Sequence, residues 1–239
     1  MLRSIGRNSS SFIAPDIELS HLQFAEKANQ LLEGDHHQNR CLPGTRVAIL
    51  DALIHWANGG VQLPSSPSYL HDIYQGKQIL WLCGVAGSGK SSIATSVALE
   101  GQAKGFLGSC YCFRSGSQAH LNPSNLFSTI AYHLASHNRS SEDHLVNIVR
   151  ACDLATVKST SPSVQLNTFL LPLLHDLDAS SSTSLFTLII IDALDESGSI
   201  GERRGILKCL AELGSQLPPT IRILITSRFE VDVQNTIHP

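Results

Sequence analysis

Ile79-Leu80-Trp81-Leu82-Cys83, followed at once by Gly84-Val85-Ala86-Gly87-Ser88-Gly89-Lys90-Ser91, decides the fold. The first five residues are a continuous apolar run, and the next eight fit the phosphate-binding pattern G-x-x-x-x-G-K-[ST] without a mismatch. Beyond them Ile93 and Val97, and Ala94 and Ala98, recur at helical spacing. Strand, glycine-rich turn and helix in this order are the context the pattern requires. The glycines let the backbone turn its N–H groups inward around phosphate oxygens, and the positive end of the following helix faces the same place. Lys90 puts a point charge near the β and γ phosphates, and the Ser91 hydroxyl is suited to ligate Mg²⁺. The candidate binding set is Gly84, Gly87, Ser88, Gly89, Lys90, Ser91 and Ser92, and the expected ligand is a nucleoside triphosphate.

Working outward, the core alternates strand and helix signals, the pattern of a parallel sheet covered on both faces. Strands are predicted at 78–83, 107–113, 185–191 and 221–226, each nearly continuous in apolar residues as buried parallel strands are. Helices are predicted at 89–102, 123–137, 142–152, 163–176 and 202–215, with serine-rich loops at 159–163 and 180–184. The expected fold class is α/β, a three-layer P-loop NTPase fold with a mostly parallel sheet, preceded by N-terminal helices. Residues 1–14 read as a loose tail. Residues 15–68 read as an N-terminal helical segment, with one helix over 15–32 and a second starting at Thr45 as N-cap and reaching Trp56; its linker is at 64–68. Residues 69–239 read as the nucleotide-binding core.

The 239-residue chain is long enough to bury a sizeable core, and its 42% hydrophobic content argues against disorder. A formal charge of −3, with 17 scattered Lys and Arg, offers no stripe that would track a phosphate backbone, so nucleic acid is not an expected partner. The longest apolar run, 185–194, is interrupted by Thr187 and Asp192 and falls short of the roughly 20 residues of a membrane span. The amino terminus carries Arg3 and Arg7 but no apolar segment after them, so it is not a secretory signal. The expected setting is cytoplasmic and soluble, with no membrane partner. Cys41, Cys83, Cys110, Cys112, Cys152 and Cys209 are spread along the chain and expected reduced. Cys110 and Cys112 would face one side of a strand, in core packing rather than on a metal, and no zinc is assigned.

The second half of the site needs a metal-holding acid and control of the attacking water. Leu185-Phe186-Thr187-Leu188-Ile189-Ile190-Ile191-Asp192 is a buried strand ending in a carboxylate, which suits Asp192 to hold Mg²⁺, mainly through coordinated water. Asp195 and Glu196 follow at the distance where a carboxylate can orient or deprotonate water; Asp195 is the first choice and Glu196 its substitute, with solvated loop acids as the bland alternative. The strand 221–226 runs into Ser227-Arg228, and an arginine there can reach a γ-phosphate or lie idle on the surface. Arg114 has the same strand-end location.

Taken in order, these stretches resemble the NACHT nucleotide-binding domain of the signal-transducing STAND class of P-loop ATPases. Residues 84–91 match its Walker A, Leu188-Ile189-Ile190-Ile191-Asp192-Ala193-Leu194-Asp195-Glu196 its Walker B with the acidic pair, and Ile223-Leu224-Ile225-Thr226-Ser227-Arg228 its sensor strand. The similarity is greatest to fungal NACHT proteins whose domain also resembles the nephrocystin-3 amino-terminal region. In these a stretch like Cys41-Leu42-Pro43-Gly44-Thr45-Arg46 precedes the P-loop. The resemblance implies that Lys90 and Ser91 bind phosphate and Mg²⁺, that Asp192 supports Mg²⁺, and that Asp195 and Glu196 act on water. It also implies that Arg228 senses the γ-phosphate, and that Gly44, Thr45 and Arg46 lie near the base or ribose. It implies further a slow ATPase switch, closed on ADP and opened by ATP, with self-association or a repeat-bearing region beyond the helical and winged-helix domains that family members carry. The chain ends at Pro239 before any of these, as a fragment or a truncated member would. Two other functions stay open. One is a different P-loop ATPase or a small-molecule kinase, disfavoured by the single basic doublet Arg203-Arg204. The other is a scaffold that binds nucleotide without hydrolysing it.

Overall fold

The computed structural model describes residues 19, 22, 40–60, 76–113, 123–137, 139–180, 186–231 and 233. Among them four strands form one sheet: β1 Ile79–Cys83, β2 Leu107–Cys112, β3 Thr187–Asp192 and β4 Ile221–Ser227. The strands pair in the order β1-β4-β3-β2, and every pairing is parallel. The longer helices are α1 Val47–Ala57, α2 Lys90–Lys104, α3 Leu126–Ala135, α4 Arg139–Ala151, α5 Leu171–Ser180 and α6 Ile200–Gly214. The predicted helix over 15–32, apart from Leu19 and Leu22, lies outside the described residues, as do the linker at 64–68, the loop at 181–184 and Arg114.

Successive side chains of a strand point to opposite faces, and here both faces are buried. Tyr111, Ile189, Ile191, Ile221, Ile223 and Ile225 enter one core with Phe127 of α3, Leu145 of α4, Leu173 of α5 and Leu210 of α6. Cys110, Cys112, Leu188, Ile190 and Leu224 enter a second core with Trp56 of α1 and with Ile93 and Val97 of α2. The result is three layers, an α/β domain with α1 and α2 on one face of the sheet and α3 to α6 on the other. Cys110 and Cys112 share the α2 side, as their spacing requires.

Several element ends differ from the sequence expectation for local reasons. Thr45 is not the cap of α1. Its N–H and hydroxyl both donate to the Leu42 carbonyl, at 3.0 and 2.7 Å, closing a turn with Pro43 and then Gly44 at φ 76°, the pattern of a type II turn. Arg46 takes the cap position instead, in the left-handed region at φ 58°. Helix α6 begins at Ile200 because Ser199 and Glu202 form a reciprocal capping box. The helix predicted over 163–176 starts at Pro162, passes through a π-helical stretch, Leu166–Leu170, and continues as α5. Pro172 accounts for the widening: it has no N–H for the Thr168 carbonyl four residues back.

On the β2 edge the pairing with β3 shifts register between Leu107 and Ser109. A Cβ on Gly108 would come within 2.4 Å of Thr187 Cγ2 and 2.6 Å of Leu134 Cδ2, so glycine admits the close approach of α3. Beside it Ser109 Oγ lies 2.9 Å from His133 Nδ1. Burial of the imidazole, with a smaller contribution from neighbouring His137, pushes the His133 pKa down from 6.5 to about 4. The folded state therefore binds fewer protons than the unfolded chain between these values, and stability falls as pH is lowered through that window. The loss should approach about 3 kcal/mol at the acid end. Thermal melts from pH 7 to 4 should show this slope, and His133→Asn, which keeps a polar atom toward Ser109, should flatten it.

Candidate functional site

Because the strands are parallel, the carboxyl ends of β1, β3 and β4 lie along one edge of the sheet, with β4 between the other two. That edge is where open α/β sheets present their functional loops. The Gly84 N–H extends the β1–β4 ladder by donating to Ser227 O at 3.3 Å. Gly87 and Gly89 then take φ 74° and 88°. A Cβ at either would meet nothing within 4 Å, so backbone torsion, not crowding, calls for glycine there. Gly84 differs, since a Cβ would sit 3.0 Å from Ser88 Oγ, which is tucked beneath the loop. Lys90 folds back across the turn and donates to the carbonyls of Gly84 and Val85 at 2.7 and 3.0 Å. Arg46 reaches the same loop from the start of α1 and donates to Ser88 O at 3.2 Å.

Opposite the loop, Asp192 ends β3 almost fully buried, at 1% exposure. The Thr226 hydroxyl donates to Asp192 Oδ1 at 2.5 Å, and Cys112 Sγ lies 3.4 Å from Oδ2. Thr226 Oγ1 also accepts the Ala193 N–H at 2.9 Å. Ala193 is in the left-handed region at φ 57°, which a residue with a Cβ adopts only when its surroundings impose it. This reversal throws Leu194–Glu196 into a 3₁₀ turn, closed by Glu196 N–H to Ala193 O at 2.8 Å. Arg203 of α6, 6% exposed, supports the turn from below by donating to the Asp195 carbonyl at 2.9 Å. Arg228 completes it: its N–H donates to Asp195 Oδ1 at 2.9 Å, Nε lies 3.2 Å from Oδ2, and a terminal nitrogen lies 3.7 Å from Glu196 Oε1.

The two halves enclose a cleft of ≈ 330 Å³, lined by residues 86–92 of the loop and by Ala193, Asp195, Glu196, Thr226 and Arg228. Of the residues singled out from the sequence, Gly87, Ser88, Gly89, Lys90, Ser91, Ser92, Asp195, Glu196 and Arg228 share this cleft, and Arg46 joins it through the Ser88 carbonyl. Asp192 does not line it, because Thr226 stands in front. Gly44 and Thr45 belong to the turn before α1 and line a separate groove. Sequence reasoning passed over Thr226 and Arg203. Thr226 left a signal: it ends an apolar strand with the same parity as Leu224, and so faces the side on which Asp192 lies. Arg203 left none, since a helical arginine reads as solvated until α6 is docked.

A parallel α/β domain with a glycine-rich loop, an acidic turn and an arginine on one strand edge is the class these features define. The chain belongs to the nephrocystin 3 N-terminal family, whose model matches residues 62–228. That span contains all four strands and closes at Arg228, while Arg46 and α1 lie before it. No curated protein and no solved structure gives a significant match. Among the described residues no helix is long and apolar enough to cross a membrane.

Thr226 is the joint between β3 and β4 at this edge. Thr226→Val preserves shape but strips Asp192 of its hydroxyl donor and the Ala193 N–H of its acceptor. Stability should fall by about 2 kcal/mol or more, whereas Thr226→Ser should retain most of it, both read from urea unfolding midpoints.

Proposed function

We propose that this domain binds ATP and ADP with Mg²⁺ in the cleft and serves as the nucleotide-controlled module of a NACHT-type switch in the STAND class. We propose further that, within the nephrocystin 3 N-terminal family, the chain groups with fungal NACHT proteins. The observation that carries the reading is the convergence of the Gly84–Ser91 loop with Arg228 on a single cleft, from strands that are neighbours in the sheet but distant in sequence. A glycine-rich loop at a helix N-terminus, opposite a guanidinium, suits a polyphosphate. Lys90, now on two loop carbonyls, would exchange them for the β and γ oxygens. Arg46 would brace the loop near the ribose or base.

The oxygen-bearing residues at the site suit a hard cation: Ser91 is on the cleft wall, and Asp192 lies just behind Thr226, hydrogen-bonded to its hydroxyl. Ser91 and Asp192 would be the residues that hold Mg²⁺, which when bound would supply positive charge to offset that of the phosphates. Of the two acids in the turn, Asp195 has both oxygens on Arg228 and a side chain only 7% exposed, against 27% for Glu196. This favours Glu196 as the acid that acts on water, with Asp195 in a supporting part, the reverse of the order preferred from sequence. A switch needs only slow hydrolysis, since what it reads is the difference between two bound states.

Calorimetry with Mg-ATP and Mg-ADP tests binding, and single-turnover hydrolysis tests chemistry. Lys90→Ala should weaken both nucleotides by about 100-fold or more, and Glu196→Gln should keep binding while slowing hydrolysis by about 100-fold. Wild-type protein that binds neither nucleotide, or a Lys90→Ala protein that binds as the wild type does, would sink the proposal.

A further inference from the structure

Arg228 and Asp195 are unequal partners. The Asp195 side chain is 7% exposed and that of Arg228 51%. The acid is anchored twice, through Oδ1 to the Arg228 N–H and through its carbonyl to the buried Arg203. The guanidinium is reached by solvent and borders the same cleft as the loop. Among the described residues, its Nε contact to Asp195 Oδ2 and its longer contact to Glu196 are what keep it on the acidic turn. A phosphate group accepts the same planar fork of donors as a carboxylate, so a phosphate entering the cleft competes for a guanidinium already in use.

We infer that Asp195 sets the discrimination between ATP and ADP by competing with the terminal phosphate for Arg228. This inference rests on the nucleotide reading of the cleft. With ADP the ion pair stays closed. With ATP the guanidinium leaves Asp195 Oδ2 for a γ-phosphate oxygen, while its backbone N–H remains on Oδ1. Breaking the pair opposes ATP binding alone, so Asp195 biases the domain toward its ADP form, and Arg203 preserves that bias by fixing the turn. A ligand shifts such an equilibrium only by its differential interaction with the two states, and here the differing contact is a single side chain.

The test is a double-mutant cycle on the full chain, with ADP and the non-hydrolysable imido analogue of ATP as calorimetric ligands in the presence of Mg²⁺. Asp195→Asn keeps an acceptor for the Arg228 N–H but removes the charge. It should raise the affinity ratio of the ATP analogue to ADP by about ten-fold, near 1.4 kcal/mol. Arg228→Ala should lower the affinity ratio of the ATP analogue to ADP, and adding Asp195→Asn to it should change the ratio no further. That last arm separates competition from simple relief of negative charge near the phosphates, which would persist without Arg228. If Asp195→Asn does not fold, as judged by its circular dichroism melt, Asp195→Ser runs the same cycle. Wild-type binding with an unchanged ratio in the Asp195 variant, or the same increase in the Arg228→Ala background, overturns this inference and leaves the nucleotide reading standing. Failure of the wild type to bind either nucleotide overturns both.

Discussion

Strands β2, β3 and β4 bury side chains on both faces of the sheet, the edge strand β1 half-buries its own on both, and the rest of the domain is arranged to meet that requirement. A parallel strand cannot return through a hairpin, so each connection must cross a face of the sheet, and helices do the crossing. Here α1 and α2 cover the side of Cys110, Leu188 and Leu224, while α3 to α6 cover the side of Tyr111, Ile189 and Ile223. The same constraint sends every carboxyl end to one edge. Loops leaving that edge are released from the sheet's hydrogen bonding and can take the special conformations of Gly87, Gly89 and Ala193.

Strand order then determines which loops meet. Because β4 lies between β1 and β3, Thr226 and Arg228 emerge between the glycine-rich loop and the acidic turn and line the cleft that both border. Thr226 ties Asp192 to the reversed backbone at Ala193, Arg203 supports the turn that follows, and Arg228 is drawn onto Asp195. The acids and the arginine are thus parts of one connected network of hydrogen bonds and ion pairs. A ligand that engages Arg228 acts on the acidic turn through it.

Most of the fold was legible in the chain. The apolar runs of the four strands are long and bounded by turn residues, and the helices between them keep their period, so elements were placed to within a few residues. Boundaries went astray where a local bond outweighed the pattern. The Thr45 hydroxyl was taken by the Leu42 carbonyl, Ser199 paired with Glu202 to start α6 early, and Pro172 widened the helix before α5. In the site, the glycine-rich loop could be read because its spacing is contiguous. The unequal contacts of Asp195 and Glu196 with Arg228 could not, because they depend on a partner 33 positions beyond Asp195 in sequence.

The sequence by itself determined the parallel α/β class, the conformation of the 84–91 loop and the identity of the polar groups available near it. These follow from torsional preference and periodicity, which are local. Only the tertiary structure decided that Asp192 is held behind Thr226, that Asp195 belongs to Arg228, that Arg203 is buried beneath the turn and that Arg46 reaches the loop. Each of these depends on which strand ends become neighbours and on how much water is excluded between them. A charged side chain takes its partner, and with it its part in the site, from that placement.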